Sequence, residues 1–147
     1  MAPRAATFTL LLAIAMALTG CGGSDATQQA LAQVQAKLSA TLPKPYIEDL
    51  VIESATIEGR ALVEVIRSPL GTAAKTRKNP RFDELRQAEE LELRAWCSDP
   101  LLQPLLNTEA VLKRRFMDRK GGVFFEVKMA ARDCRAATSG ASAPTPA

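Results

Sequence analysis

The 147-residue sequence contains no histidine, and this absence removes the usual general base and the commonest zinc ligand. It also has no large charge imbalance, because 19 basic side chains against 16 acidic ones leave a formal net charge of +3. A charge this close to neutral gives no general argument for nucleic-acid binding. We therefore expect no nucleic acid among the partners, and no metal ion or other cofactor.

The sequence also lacks the pattern of a catalytic site. Its densest carboxylates are those of Glu89, Glu90 and Glu92, which lie on a predicted helix among arginines, where such residues usually form a solvated face. The pair Gly121-Gly122 precedes a strand and not a helix, so it does not have the arrangement that binds phosphate. The sequence therefore predicts a protein that is not an enzyme.

The N-terminal apolar run is too short to cross a membrane. It covers residues 8–18, or about eleven residues, whereas a spanning helix needs about 20. The run follows the basic residue Arg4 and ends in Leu18-Thr19-Gly20-Cys21. This layout is typical of a bacterial lipoprotein, and it predicts a signal peptide over residues 1–20 and a lipidated mature N-terminus at Cys21. The other interpretation is an ordinary secreted protein in which Cys21 is incidental.

The predicted anchor also indicates a location. Stable attachment needs more than one acyl chain on Cys21, palmitate included, because a single chain binds a membrane reversibly. Gly22 and Gly23 follow the cysteine, and neither is the acidic residue that resembles an inner-membrane retention signal. We therefore expect a bacterial envelope protein that is anchored at the outer membrane and faces the periplasm, with the inner membrane as the less favoured site.

The other two cysteines, Cys97 and Cys134, form an even pair once Cys21 is assigned to lipid. In an oxidising compartment, the default for such a pair is a disulfide. It would close a loop of 37 residues, for which chain-entropy models give roughly 3 to 4 kcal/mol. The alternative, two free thiols or a soft-metal site, has neither a CxxC spacing nor a histidine in its favour.

The first half of the chain predicts one helix and one hairpin. Residues 24–40 have helical spacing, with an apolar stripe formed by Ala30, Leu31, Val34 and Leu38. This helix either packs on the domain edge or acts as a spacer from the membrane. Residues 49–67 have a strand pattern with Gly59 in the turn, which predicts a β-hairpin.

The second half predicts the main helix and a second hairpin. Asn79-Pro80 is a helix start, and the helix should end near Ser98. Its predicted apolar face consists of Phe82, Leu85, Ala88, Leu91, Ala95 and Trp96. Residues 111–117 and 123–129 predict two strands joined by a turn.

These elements predict an α+β fold, in which a small antiparallel sheet of two hairpins packs against one main helix in two layers. The predicted organisation has a signal peptide over 1–20 and a lipidated N-terminus with an amphipathic helix or spacer over 21–41. The α+β domain covers 42–134, and a disordered tail covers 135–147, where small residues and proline prevail.

Several short motifs occur together in a fixed order. They are Leu42-Pro43, a hairpin turning at Gly59, Trp96-Cys97-Ser98-Asp99-Pro100-Leu101, a strand turning at Gly121, and Asp133-Cys134. Over residues 42–134 the chain thereby resembles a family of small exported bacterial proteins, represented by the candidate quorum-sensing-regulated virulence factor of pseudomonads. The resemblance implies an α+β fold, a disulfide from the helix end to the last strand, and no established enzymatic activity. More loosely, the architecture resembles that of pilotins, which escort secretins to the outer membrane.

A basic cluster on the second hairpin is the candidate partner-binding site. Its members are Lys113, Arg114, Arg115, Arg119 and Lys120. In the strand before the glycine turn, proteins of the resembled family tend to have tyrosines, whereas this chain has Arg114 with Lys113 and Arg115 beside it. Strand alternation sends Lys113 and Arg115 to one face and Arg114 to the other, so the run is not automatically one patch. The other interpretation is that these charges only keep the hairpin soluble and protect its edge.

Taken together, the sequence predicts a non-catalytic binding or interaction module, attached to a membrane through lipid on Cys21 and able to engage an envelope protein. Two alternatives remain open, a pilotin-like lipoprotein of secretion or pilus assembly, and an envelope enzyme or enzyme inhibitor. The sequence does not indicate an oligomeric state.

Overall fold

The computed structural model describes residues 22–135, with side chains from residue 26 onward. The predicted signal peptide, Cys21 and the tail beyond Arg135 lie outside these residues. The helices and strands, in chain order, are α1 (Gly22–Ser39), β1 (Lys44–Pro45), β2 (Val51–Glu58), β3 (Ala61–Ser68), α2 (Ala73–Thr76), α3 (Phe82–Ala95), β4 (Val111–Asp118) and β5 (Val123–Ala130). Short 3-10 helices cover Trp96–Ser98, Pro100–Leu105 and Ala131–Asp133.

The five strands form one sheet in the order β1-β2-β3-β4-β5. Both predicted hairpins are confirmed, since β2 pairs with β3 and β4 with β5 in antiparallel fashion. The glycines predicted in their turns, Gly59 and Gly121, have φ angles of 59° and 87°, a region that favours glycine.

The α+β class is confirmed, but the sheet is larger than two hairpins and is not wholly antiparallel. A short strand, β1, pairs with β2, and the central strands β3 and β4 run parallel. The parallel pairing is possible because residues 69–110 form a long connection that carries α2, α3 and two 3-10 helices. A crossover of this length is what parallel neighbours require.

Helix α1 packs on the domain through the predicted stripe. Leu31, Val34 and Leu38 are at most 1% exposed and belong to the main apolar core. On the same helix, Gln35 Nε2 donates to the carbonyl of Ala55 on β2, at 2.9 Å. Burying a leucine or valine side chain contributes roughly 1.5 to 3 kcal/mol, so this stripe holds α1 to the sheet and does not leave it as a free spacer.

Helix α3 is present as predicted, although α1 is the longer helix, and the predicted apolar face of α3 is only partly confirmed. Of that face, Trp96 is buried and Phe82 is half-buried. Leu85 and Leu91 are 43% and 66% exposed, whereas Leu93 is buried. The face that meets the sheet includes Glu89, which is half-buried. Its carboxylate can lie there because it accepts a hydrogen bond from Tyr46. The prediction used the positions of the apolar residues alone, and it therefore missed the inward face that contains Glu89.

The predicted disulfide between Cys97 and Cys134 is present. Cys97 lies in the 3-10 helix that follows α3, and Cys134 comes just after β5. The bridge therefore joins the end of α3 to the last strand. None of the helices within residues 22–135 is both long and apolar enough to cross a membrane.

Candidate partner-binding surfaces

The five basic residues of the second hairpin do not form one patch. Strand β4 alternates as predicted, so that Arg114 is buried while Lys113 and Arg115 lie partly exposed on the face of the sheet without helices. Arg119 and Lys120 are exposed in the turn between β4 and β5. The three locations place these side chains in three different electrostatic environments.

On the helix-free face, Lys113 and Arg115 are matched by carboxylates. The guanidinium of Arg115 donates to both oxygens of Glu58, at 2.6 and 2.8 Å, and also to Glu126. Lys113 Nζ lies 3.7 Å from Glu58 and 3.6 Å from Glu126. Hydrogen bonding to Arg115 lowers the pKa of Glu58, which keeps it ionised. This part of the face is therefore a balanced ionic network.

Arg114 lies inside the protein, opposite Glu64 in the parallel pairing of β3 with β4. Its Nε donates to Glu64 Oε2 at 3.0 Å, and the two side chains are 7% and 2% exposed. The guanidinium carbon lies 5.3 Å from the ring centre of Tyr46 and 5.2 Å from that of Trp96. An ion pair and two cation–π contacts therefore hold the buried charge of Arg114.

Tyr46 connects this pair to α3. Its hydroxyl accepts a hydrogen bond from Arg114 Nη1 at 3.0 Å and donates one to Glu89 Oε2 at 2.7 Å. Burial and the hydrogen bond to Glu89 raise the pKa of the Tyr46 phenol above its usual range, so it stays protonated as a donor. Burial also raises the pKa of Glu64 and of Glu89, against the effect of Arg114. We call Glu64, Arg114, Tyr46 and Glu89 the polar chain.

Two adjoining cavities lie next to the polar chain, and Glu89 lines the smaller of them. The smaller has a volume of about 260 Å³ and is lined by residues 48–50, by α3 and by aromatic side chains of β4 and β5. The larger, about 720 Å³ and more open, is lined by Asp49 and by residues between 68 and 80. Both are lined by Asp49, Ser68, Thr76 and Asn79, so the two cavities adjoin, and we call them together the α3 groove.

The smaller cavity has an apolar floor. Its apolar lining consists of Leu50, Leu85, Phe116, Phe124 and Phe125. Phe116 and Phe125 are stacked with ring centres 4.6 Å apart, and Phe82 meets Phe125 edge to face at 5.6 Å. These ring contacts fix the floor, since aromatic pairs of this geometry stabilise beyond the area that they bury.

The turn between β1 and β2 presents two acidic residues to the cavity. Tyr46 N donates to Leu50 O and Leu50 N donates to Ile47 O, both at 2.9 Å, which closes the turn. Glu48, at the exposed tip, has a φ of 53°, a conformation that is uncommon for residues other than glycine. Glu48 and Asp49 both line the smaller cavity, together with Glu89 of α3.

Residues that could hold a metal ion are not clustered: the described part of the chain has no group of three or more Cys, Asp or Glu side chains with the required geometry. The absence of a cofactor stays a prediction.

Comparisons with known proteins were made at the level of sequence and of structure. No family model matches the chain, and no curated protein matches it. Among solved structures, a candidate secreted protein from Pseudomonas aeruginosa is similar with a TM-score of 0.56 at 22% identity, over 80% of this chain and 99% of that one.

Two further structures are similar, and both are pilotins. The type 2 secretion system pilotin EpsS from Vibrio vulnificus matches with a TM-score of 0.51 at 14% identity. The type II secretion system pilotin AspS from Vibrio cholerae matches with a TM-score of 0.50 at 12% identity. Each match covers 75% of this chain and 96% of the pilotin. The fold is the one found in these proteins.

The α3 groove and the polar chain were not found by sequence reasoning. The position of Glu64 could have indicated a buried ion pair, because this acidic residue lies within the apolar run 62–66 of a strand and a buried carboxylate needs a partner. The sequence gives no indication of a binding role for Glu48 and Asp49, since two acidic residues near a proline-containing segment are ordinary in a loop.

Proposed function

We propose that the protein is a pilotin-like lipoprotein of the bacterial envelope, attached to the outer membrane by acyl chains on Cys21, facing the periplasm and binding a protein of a secretion system. The observation that carries the proposal is the fold, which matches two type II secretion pilotins over nearly their whole length. The lipoprotein-like segment before Cys21 supports the anchor. The disulfide is in keeping with an oxidising compartment.

The proposed role is binding and not catalysis. Of the three carboxylates that the sequence brings close together, Glu89 accepts a hydrogen bond from Tyr46 and so takes part in the polar chain. The α3 groove offers an apolar floor with a charged rim, which is the kind of surface that holds a partner segment. We propose this groove as the surface that meets the partner, more than the basic hairpin, where Lys113, Arg114 and Arg115 already have carboxylate partners.

The test is the location of the secretin in the bacterium that makes this protein. We expect that deleting the gene moves the secretin out of the outer-membrane fraction of a density gradient, and that the wild-type gene restores it. A Cys21→Ser gene should fail to restore it, because its product has no anchor. A secretin that stays in the outer membrane without this protein would refute the proposed role.

A further inference from the structure

The smaller cavity of the α3 groove has the composition of a cation-binding pocket. Three carboxylates line it, those of Glu48, Asp49 and Glu89, and none of its lining residues is basic. Its floor is aromatic, formed by Phe116, Phe124 and Phe125. Carboxylates attract an ammonium or guanidinium group, while an apolar floor contacts the apolar stem that carries it.

We propose that this cavity binds the side chain of an arginine or lysine from a protein partner. The proposal rests on the proposed function for the statement that the occupant is a protein. At about 260 Å³ the cavity is smaller than the usual site for a drug-sized ligand, and it is open on the side of the larger cavity. A basic side chain could enter it while the backbone that carries it lies in the rest of the groove.

Two of the three carboxylates are available for such a partner. Glu48 and Asp49 are exposed, and within the described residues neither forms an ion pair or a side-chain hydrogen bond. By contrast, the carboxylates of the helix-free face, Glu58 and Glu126, are taken up by Lys113 and Arg115. An unpaired acidic rim beside an apolar floor is complementary to a cation on an apolar stem.

The surrounding charges favour the cavity itself over the rest of the groove. Lys75 and Lys78 line the larger cavity, where they would repel the basic side chain of a partner. Arg114 lies behind Tyr46 and is already neutralised by Glu64. A basic side chain is therefore directed to the end of the groove where Glu48 and Asp49 lie.

The experiment titrates the full mature chain, carrying Cys21→Ser for solubility, with N-acetyl-arginine amide and with its uncharged isostere, N-acetyl-citrulline amide. Amide chemical shifts of the 15N-labelled protein report binding residue by residue. We expect shifts centred on Leu50, Leu85 and Phe124, and affinity for the arginine compound roughly tenfold above that for citrulline, because only the former has a charge for the carboxylates.

Variants of Glu48 and Asp49 test whether the negative charge of these side chains, and not only the shape of the cavity, contributes to binding. We expect Glu48→Gln with Asp49→Asn to weaken arginine binding about five- to tenfold without unfolding the domain, because both side chains are exposed. Glu90→Gln, on α3 but outside the cavity, is the matched control and should change nothing. Equal binding of the two compounds, or shifts elsewhere on the surface, would overturn the proposal.

This measurement is independent of the secretion system. Arginine binding in the cavity would support the site even if the secretin stayed in the outer membrane without this protein, and the proposed function alone would then fail. Conversely, a mislocated secretin together with absent arginine binding would overturn this site and leave the pilotin-like role.

Discussion

Arg114 should contribute more to stability than any other basic residue of the second hairpin. Replacing it in Arg114→Met leaves the Glu64 carboxylate in the interior with no counter-charge, where burial already raises its pKa. Removing one partner of a buried ion pair typically costs about 3 to 5 kcal/mol. We expect a loss of that size in the free energy of unfolding, measured by urea denaturation at neutral pH.

Two further variants separate the buried charge from the loss of a side chain. Glu64→Leu added to Arg114→Met should recover most of the stability, because replacing both charges with apolar groups removes the uncompensated one. Lys113→Met, on the helix-free face, should cost less than about 1 kcal/mol. An Arg114→Met protein as stable as Lys113→Met would contradict the account of the polar chain.

The face on which Arg114 lies could be predicted, but its partner could not. Alternation along β4 places Arg114 with Leu112 and Phe116 on the buried face, as the sequence indicates. Glu64 comes opposite it only through the parallel register of β3 with β4, at a separation of 50 residues. Nothing local in the sequence specifies that register, so the sequence places Arg114 on the buried face without indicating its partner.

At the scale of elements, Asp118 fixes the place where β4, α2 and the turn before β5 meet. Its Oδ2 accepts from Ala73 N at 3.0 Å, and its Oδ1 accepts from Lys120 N and Gly122 N, both at 2.8 Å. These backbone hydrogen bonds lower the pKa of Asp118. The carboxylate therefore stabilises the fold above the pKa of the unfolded chain, and that stabilisation disappears as pH falls through the folded value.

Asp118→Asn should be less stable than the wild type at pH 7, because an amide has one acceptor oxygen where the carboxylate uses two. The gap between the two proteins should narrow as the pH falls below about 4, where this carboxyl begins to protonate in the unfolded chain, and should narrow further as Asp118 protonates in the folded protein. Urea midpoints measured from pH 7 to pH 2 give both quantities. Asp83→Asn, an exposed residue whose ion pair with Arg86 is 3.6 Å long, is the control. A gap that does not change with pH would contradict the prediction.

Helix α3 depends on few contacts, and the disulfide at its end is the strongest of them. Leu93 is its one buried residue, while Tyr46 holds the middle of the helix through Glu89. We expect the Cys97→Ala, Cys134→Ala double variant to lose about 2 to 5 kcal/mol of stability. Hydrogen exchange should rise most in α3 and less in β3 and β4, at the centre of the sheet.

Exchange that increases equally in α3 and in the central strands would count against this view of α3, since it would mean that the disulfide stabilises the domain as a whole. The control is the wild-type protein with its disulfide intact, measured under the same conditions. The two outcomes differ in where protection is lost, so the test does not depend on the size of the stability change.

The elements themselves were predictable where their pattern is local. Alternation and the glycines at 59 and 121 indicate both hairpins, and Asn79-Pro80 indicates the start of the main helix. The parallel pairing of β3 with β4 and the inward face of α3 depend on tertiary contacts. Glu89 faces inward because Tyr46, 43 residues away, gives it a hydrogen bond, and no helical pattern contains that information.

At the scale of the whole molecule, the two sides of the sheet differ in what they can bind. The helix-free side carries the ionic network of Glu58, Lys113, Arg115 and Glu126, in which charges of both signs are matched. The helical side carries the α3 groove. Its smaller cavity is lined by Glu48 and Asp49, which have no ion-pair partner among the described residues, and by the exposed apolar side chain of Leu85. A partner therefore gains more from the helical side, where its contacts replace water and not existing ion pairs.

Membrane attachment through Cys21 is the property on which the proposed function depends, and it can be tested without a known partner. Cells grown with a radiolabelled or clickable palmitate should label the wild-type protein and not Cys21→Ser, and the variant should move from the membrane pellet to the periplasmic fraction. The reason is that acyl chains on Cys21 supply the proposed anchor, while none of the helices in the described part of the chain is long and apolar enough to cross a membrane. The double variant Cys97→Ala, Cys134→Ala keeps Cys21 and should keep its label, which controls for the general loss of a cysteine. Labelling or membrane retention that survives in Cys21→Ser would refute the lipoprotein assignment. The proposed pilotin-like function would then no longer be supported by attachment through Cys21.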